Sequence, residues 1–157
     1  MQIVRIGLDL AKYVFEIHGV DARSKAVMRK TLRRDGVPSF FANLPPCLIG
    51  MEASNGAHYW ARALSELGHE VRLISPQFVK PYVKSNKNDR NDAEAICEAV
   101  TRANMRFVET KTPEQQSCLM LHRTRQLFIR QQTSVINAIR AHMAEFGIVA
   151  PVGTQGG

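Results

Sequence analysis

The sequence predicts an α/β fold on a mixed sheet, in which three antiparallel strands lead into parallel βαβ units and a long helical segment follows. Three observations predict it. Three β-rich stretches lie close together near the N-terminus, separated only by short turns. Residues 47–74 then read strand, helix, strand. Residues 113–146 carry a helical apolar pattern with no internal proline or glycine.

Residues 3–10 (IVRIGLDL) and 13–20 (YVFEIHGV) are apolar and rich in β-branched residues. Only Ala11 and Lys12 separate them, so a tight hairpin is expected. Residues 26–33 (AVMRKTLR) follow a turn at Asp21–Lys25 and complete a meander. A short helix near Val37–Leu44 is stopped by Pro45-Pro46. Residues 47–51 (CLIGM) read as a short strand, apolar on both sides, suited to the middle of a sheet. Ser54 or Asn55 can cap a helix running to about Leu67, which Gly68 ends. Residues 70–74 (EVRLI) form the next strand, and Ser75-Pro76 opens a short helix. A βαβ unit implies parallel pairing through a right-handed crossover. After the polar loop 84–91, a helix begins near Asp89 and runs to about Ala103. The order βββ-α-β-α-β-α-α is that of the RNase H-like fold. The expected organisation is an RNase H-like domain over 1–110, a coiled-coil-like helical extension over 111–150, and a linker or truncated tail over 151–157.

The size suits one domain with an appendage, and 45% hydrophobic residues suit a globular chain. No apolar run approaches the roughly 20 residues that span a bilayer, and the N-terminus lacks a secretory signal pattern. Cys47, Cys97 and Cys118 are odd in number and have no metal-ligand spacing, which fits reduced thiols in a cytoplasmic protein. A net charge of +7 suggests an anionic partner, with nucleic acid the usual candidate.

Four acids stand where this strand order can gather them. Asp9 sits late on the first strand, and Glu52 directly follows the fourth. Those strands are neighbours in this fold, so the two carboxylates can converge at one edge of the sheet. Asp89 and Asp92 are three apart at a helix start and so share a face. Mg²⁺ is a hard ion that binds through a few carboxylates together with phosphate and water. A pair of such ions about 4 Å apart stabilises both oxygens of a phosphodiester displacement. Each acid also has an ordinary reading: a solvated strand end for Asp9 or Glu52, a helix cap and first-turn acid for Asp89 and Asp92. The catalytic reading rests on the four occurring together with the strand order.

Three segments carry a family resemblance: IGLDLAKYVFEIHGVD (6–21), GMEASNGAHYWARAL (50–64) and SPQFVKPYVKSNKNDRNDAEAI (75–96). The chain resembles the DEDD transposases of the insertion-sequence-110 type, in their N-terminal RuvC-like domain. The resemblance implies that the family's four acids fall on Asp9, Glu52, Asp89 and Asp92, as ligands for Mg²⁺ or Mn²⁺. It implies DNA transposition and recombination of mobile elements, with DNA as partner and a structured guide RNA in some members. It also implies a C-terminal domain bearing a catalytic serine. Nothing after Pro151 can supply that domain, so the chain reads as a fragment, a separate domain or the product of a truncated gene. Ser54, Ser75, Ser85, Ser117 and Ser134 are not that nucleophile.

Lys12, Lys80, Lys84, Lys87 and Arg90 flank the acids and can hold a nucleic-acid backbone, or simply solvate their loops. Trp60 is expected in the core. His58 and His18 are read as packed or surface residues. The arginines of the last helix, Arg123, Arg125, Arg130 and Arg140, can touch nucleic acid or solvate the outside of a helix that associates with a second copy. Two alternatives stand beside the transposase domain: a non-catalytic nucleic-acid-binding or dimerisation fragment, and a stand-alone Holliday-junction resolvase-like nuclease. A sugar-kinase or actin-like ATPase is disfavoured, because Leu10-Ala11-Lys12 follows Asp9 where a phosphate loop needs glycine.

Overall fold

The computed structural model describes residues 2–83 and 89–151, and for Asp89 and Arg90 the backbone alone. Lys84, Lys87 and residues 152–157 lie outside the described residues. The chain divides into two compact units, Met1–Thr110 and Lys111–Gly157.

The first unit holds a six-stranded sheet in the order β3-β2-β1-β4-β5-β6. The strands are β1 (Arg5–Leu10), β2 (Val14–Val20), β3 (Ala26–Arg33), β4 (Leu48–Glu52), β5 (Glu70–Ile74) and β6 (Phe107–Val108). β1, β2 and β3 form the expected meander, and β1 pairs with β4 and β4 with β5 in parallel. The helices are α1 (Val37–Ala42), α2 (Ala57–Glu66), α3 (Pro76–Val79) and α4 (Asp89–Ala99).

Side chains alternate across the sheet, so each strand sends one set to each face. On one face Ile6, Leu8, Phe15, Ile17, Ile49 and Met51 pack against Phe41 of α1 and Trp60, Ala61 and Leu64 of α2. Each such side chain contributes about 1.5–3 kcal/mol on burial. Buried His69 ties this layer together. The Cys47 amide donates to its Nδ1 (3.3 Å), which leaves Nε2 to donate to the Phe41 carbonyl (3.0 Å). On the other face Ala95, Ile96 and Ala99 of α4, with Val100 just past its end, pack with Ile74 and Val79. Two glycines let α4 come close. A Cβ on Gly7 would stand 2.0 Å from the Ala93 carbonyl oxygen, and one on Gly50 would stand 2.9 Å from Val100 Cβ.

Several boundaries differ from expectation. Glu52 is the last residue of β4 rather than the residue after it. Neither Ser54 nor Asn55 caps α2, because a tight turn (Ser54 N to Glu52 O, 2.8 Å) carries the chain past them. Gly56, at φ +85, is the N-cap. Gly68 ends α2 as expected, at φ +91, with its amide on the Ser65 carbonyl and that of His69 on Leu64. α4 stops at Ala99, and the two-residue β6 pairs with β5 at the edge.

The second unit is dominated by the 32-residue α5 (Pro113–Ala144). Its start is a capping box. Thr112 Oγ1 accepts from the Gln115 amide, while Gln115 Oε1 accepts from the Thr112 amide. Leu121, Phe128, Val135 and Ile139 fall on one face of α5 by helical spacing, and all are exposed.

Candidate active site

The β1–β4 ladder decides where Asp9 and Glu52 stand. It runs in parallel through Gly7↔Gly50 and Leu8↔Met51, so the next residues along are Asp9 and Glu52. Neighbouring parallel strands lie about 4.8 Å apart, and residues in register project from the same face. Two residues back along each strand, Gly7 and Gly50 face α4. Asp9 and Glu52 therefore face α4 as well, side by side at the ends of their strands. Both are half-buried.

α4 begins at Asp89, and Asp92, three residues on, is half-buried in its first turn. The side chain of Asp89 lies outside the described residues. Among the described residues no three histidine, cysteine, aspartate or glutamate side chains form a ready metal-ligating group. The fold thus joins Asp9 with Glu52 on one face, and the helix over that face carries the other two acids.

Glu16, on this face, escaped the sequence reading, while His18 is packed as that reading allowed. Glu16 is the cross-strand partner of Asp9, and Thr31 Oγ1 donates to its Oε1 at 2.7 Å. His18 is buried opposite Gly7. With Arg29, Thr31 and Ala93 they line a cleft of about 190 Å³. Arg29 reaches from β3 to Glu94 of α4 (3.0 Å), an exposed pair worth less than about 1 kcal/mol. The hairpin turn was the available signal, because closing it at Lys12–Tyr13, with Ala11 opposite Val14, sets Asp9 opposite Glu16.

Beneath α4, burial raises the Cys97 thiol above its ordinary pKa, and the Arg5 guanidinium beside it offsets only part of that. Of the expected cations, Lys12 is exposed in the hairpin turn with Nζ 5.1 Å from the Tyr13 ring centre. Lys80 is exposed where a short 3₁₀ turn, Lys80–Tyr82, begins. Lys84 and Lys87 lie outside the described residues, as does the side chain of Arg90.

A family model described as a transposase, of the DEDD insertion-sequence-110 type, matches residues 6–148. The chain belongs to this family. A "Probable family 20 transposase" of Pseudomonas aeruginosa is 55% identical to this DEDD transposase chain over 150 residues, covering 96% of the chain and 44% of that protein. The transposase for insertion sequence element IS1328 of Yersinia enterocolitica is 47% identical over 151 residues, with 96% and 45% covered. The chain therefore spans less than half the length of these relatives. The solved T. thermophilus RuvC, in complex with a Holliday junction substrate, aligns with a TM-score of 0.50 at 13% identity, over 69% of this chain and 100% of that one. That likeness establishes the RuvC-like, RNase H-like fold. The resemblance carried by residues 6–21, 50–64 and 75–96 is borne out, and so is the fold class. Among the described residues no helix is long and apolar enough to cross a membrane.

Proposed function

We propose that the Met1–Thr110 unit is the phosphodiester-cleaving part of a DNA transposase and that Asp9, Glu52, Asp89 and Asp92 hold divalent metal. The observation that carries this reading is the side-by-side placement of Asp9 and Glu52 at the ends of β1 and β4, on the face covered by α4. The donor set fits Mg²⁺ or Mn²⁺: carboxylate oxygens alone, with neither thiol nor imidazole among the proposed ligands. Such an ion supplies Lewis acidity at a phosphoryl oxygen and an activated water.

The chain's own residues do the rest. Asp9 and Glu52 sit on a rigid parallel ladder, which holds them against mutual repulsion. Lys12, Lys80, Lys84, Lys87 and Arg90 hold the sugar–phosphate backbone across the mouth of the site through sequence-independent contacts. Recombination of mobile DNA by the whole enzyme draws in addition on a serine-bearing domain and a structured guide RNA, as the family resemblance implies. The apolar face of α5 pairs with a second copy, and the protein works in the cytoplasm.

Calorimetric titration with Mg²⁺ and Mn²⁺ tests the site. Binding by the chain and its loss in Asp9→Ala and Glu52→Gln are expected. Binding that survives both substitutions refutes the assignment. A second reading, a nucleic-acid-binding or dimerisation module that does not cut, draws on the lack of a ready three-ligand group among the described residues. Titration heats no larger than dilution in every variant would favour it.

A further inference from the structure

We infer that a groove beside the hairpin turn is a stacking platform for unpaired nucleotides of the DNA strand that passes the carboxylates. The groove encloses about 800 Å³ and is lined by Tyr13, Val14, Arg33, Arg34, Tyr59 and Trp60. These residues come from three places: the β1–β2 turn, the end of β3 where the chain bends toward α1, and the start of α2. The Arg34 amide donates to the Tyr13 carbonyl (2.9 Å), which locks the first two together.

Two features point to an unpaired strand. The tyrosine rings are displayed to solvent, Tyr13 at 69% and Tyr59 at 56% exposure, although rings of this size are ordinarily half-buried or more. Behind them Trp60 is 4% exposed, and the Arg34 guanidinium lies over its ring at 5.2 Å. An aromatic and cationic surface binds bases by stacking, without regard to sequence. Bases within a duplex are already stacked and cannot lie on it. The charge also fits a polyanion. Lys12, Arg33 and Arg34 meet a single acid, Asp35, which is itself 3.7 Å from Arg33.

The nuclease reading makes the strand DNA. The groove lies at the same end of the sheet as Asp9 and Glu52, where Tyr13 follows Asp9 by one tight turn, but on the α1–α2 side rather than the face that α4 covers. A strand serving both sites would bend round the end of the sheet between them. This inference rests on the nuclease reading above. Its test is metal-free, so failure here and failure of the metal site are separate results.

The experiment is fluorescence anisotropy of a labelled 12-nucleotide oligothymidylate with the whole chain in EDTA. Tyr13→Ser and Tyr59→Ser are each expected to weaken binding about ten-fold without changing its salt dependence. Tyr13→Phe, which keeps the ring, should bind as the unaltered chain does. Arg33→Gln should instead lower the slope of log affinity against log salt by about 0.7. Affinity unchanged by both tyrosine substitutions overturns the platform. Equal losses on a duplex of the same length would overturn stacking, and a loss seen only with oligouridylate would assign the groove to RNA.

Discussion

Gly7→Ala places one methyl group where the Ala93 carbonyl already stands. The added carbon would lie 2.0 Å from that oxygen, 2.5 Å from the Cys97 amide nitrogen and 2.8 Å from Cys97 Cβ. Two of these are backbone atoms, so no rotamer change relieves them. Against an ordinary contact of 3.4 Å, α4 must withdraw from β1 by about 1.4 Å. Gaps of 0.5–1 Å already forfeit a quarter to a half of each dispersion contact, so the packing of Ile96 and Val100 over the sheet suffers too. Overpacking of this kind costs about 1–3 kcal/mol, and the backbone clash puts Gly7→Ala at about 3 kcal/mol. For a chain of this size that is a fall of roughly 6–12 °C in Tm. Trp60 fluorescence follows the melt of the sheet unit alone. Gly50→Ala has side-chain atoms of Val100 and Ile96 as its nearest neighbours, at 2.9–3.2 Å, and should cost about 1 kcal/mol. Gly36→Ala meets nothing within 4 Å and keeps a helical φ of −83°, so it should shift stability by less than about 0.5 kcal/mol. The reasoning is refuted if Gly7→Ala melts with Gly36→Ala, or if Gly50→Ala proves the more damaging of the pair at the α4 contact.

Thr112→Ala removes one half of the capping box of α5 and should cost about 1 kcal/mol, seen as faster amide exchange in the first turn. Iodoacetamide at pH 8 should modify Cys118, which is exposed, well before the buried thiols. Burial pushes Cys47 up to about 11 and raises Cys97, so both stay protonated and unreactive until the sheet unit unfolds. Peptide mass mapping checks the order. The paired substitution Leu121→Asp with Phe128→Asp should turn a sedimenting dimer into a monomer, and a monomeric unaltered chain would refute self-association through α5.

Five strands and the long helix are legible in the sequence, because turn residues bracket each apolar run and the helical period persists from Pro113 onward. β6 is not, since two residues carry no period and only pairing with Leu73 and Ile74 makes them a strand. The start of α2 is misread because Ser54 and Asn55 are good caps in isolation. The left-handed turn at Gly56 postpones the helix, and a backbone angle of that kind leaves no mark beyond the glycine itself. At the site, Asp9 and Glu52 are visible as strand-end acids. Their shared face depends on parity and register, which the βαβ order suggests and the ladder establishes. Glu16 and the aromatic groove stay hidden for a different reason. Their members are distant in sequence and become neighbours only when the hairpin, the end of β3 and α2 converge.

The parallel seam between β1 and β4 has a consequence for variation within the family. The spacing of its two strand-end acids is dictated by main-chain hydrogen bonds, not by the thirty-odd residues that connect one strand to the other. Phe15, Ile17, Val37 and Phe41 of that stretch are held in the core, but its exposed turn at 22–25 can lengthen, shorten or change chemistry without disturbing the pair. That outer surface can therefore be refashioned while the carboxylates stay where they are.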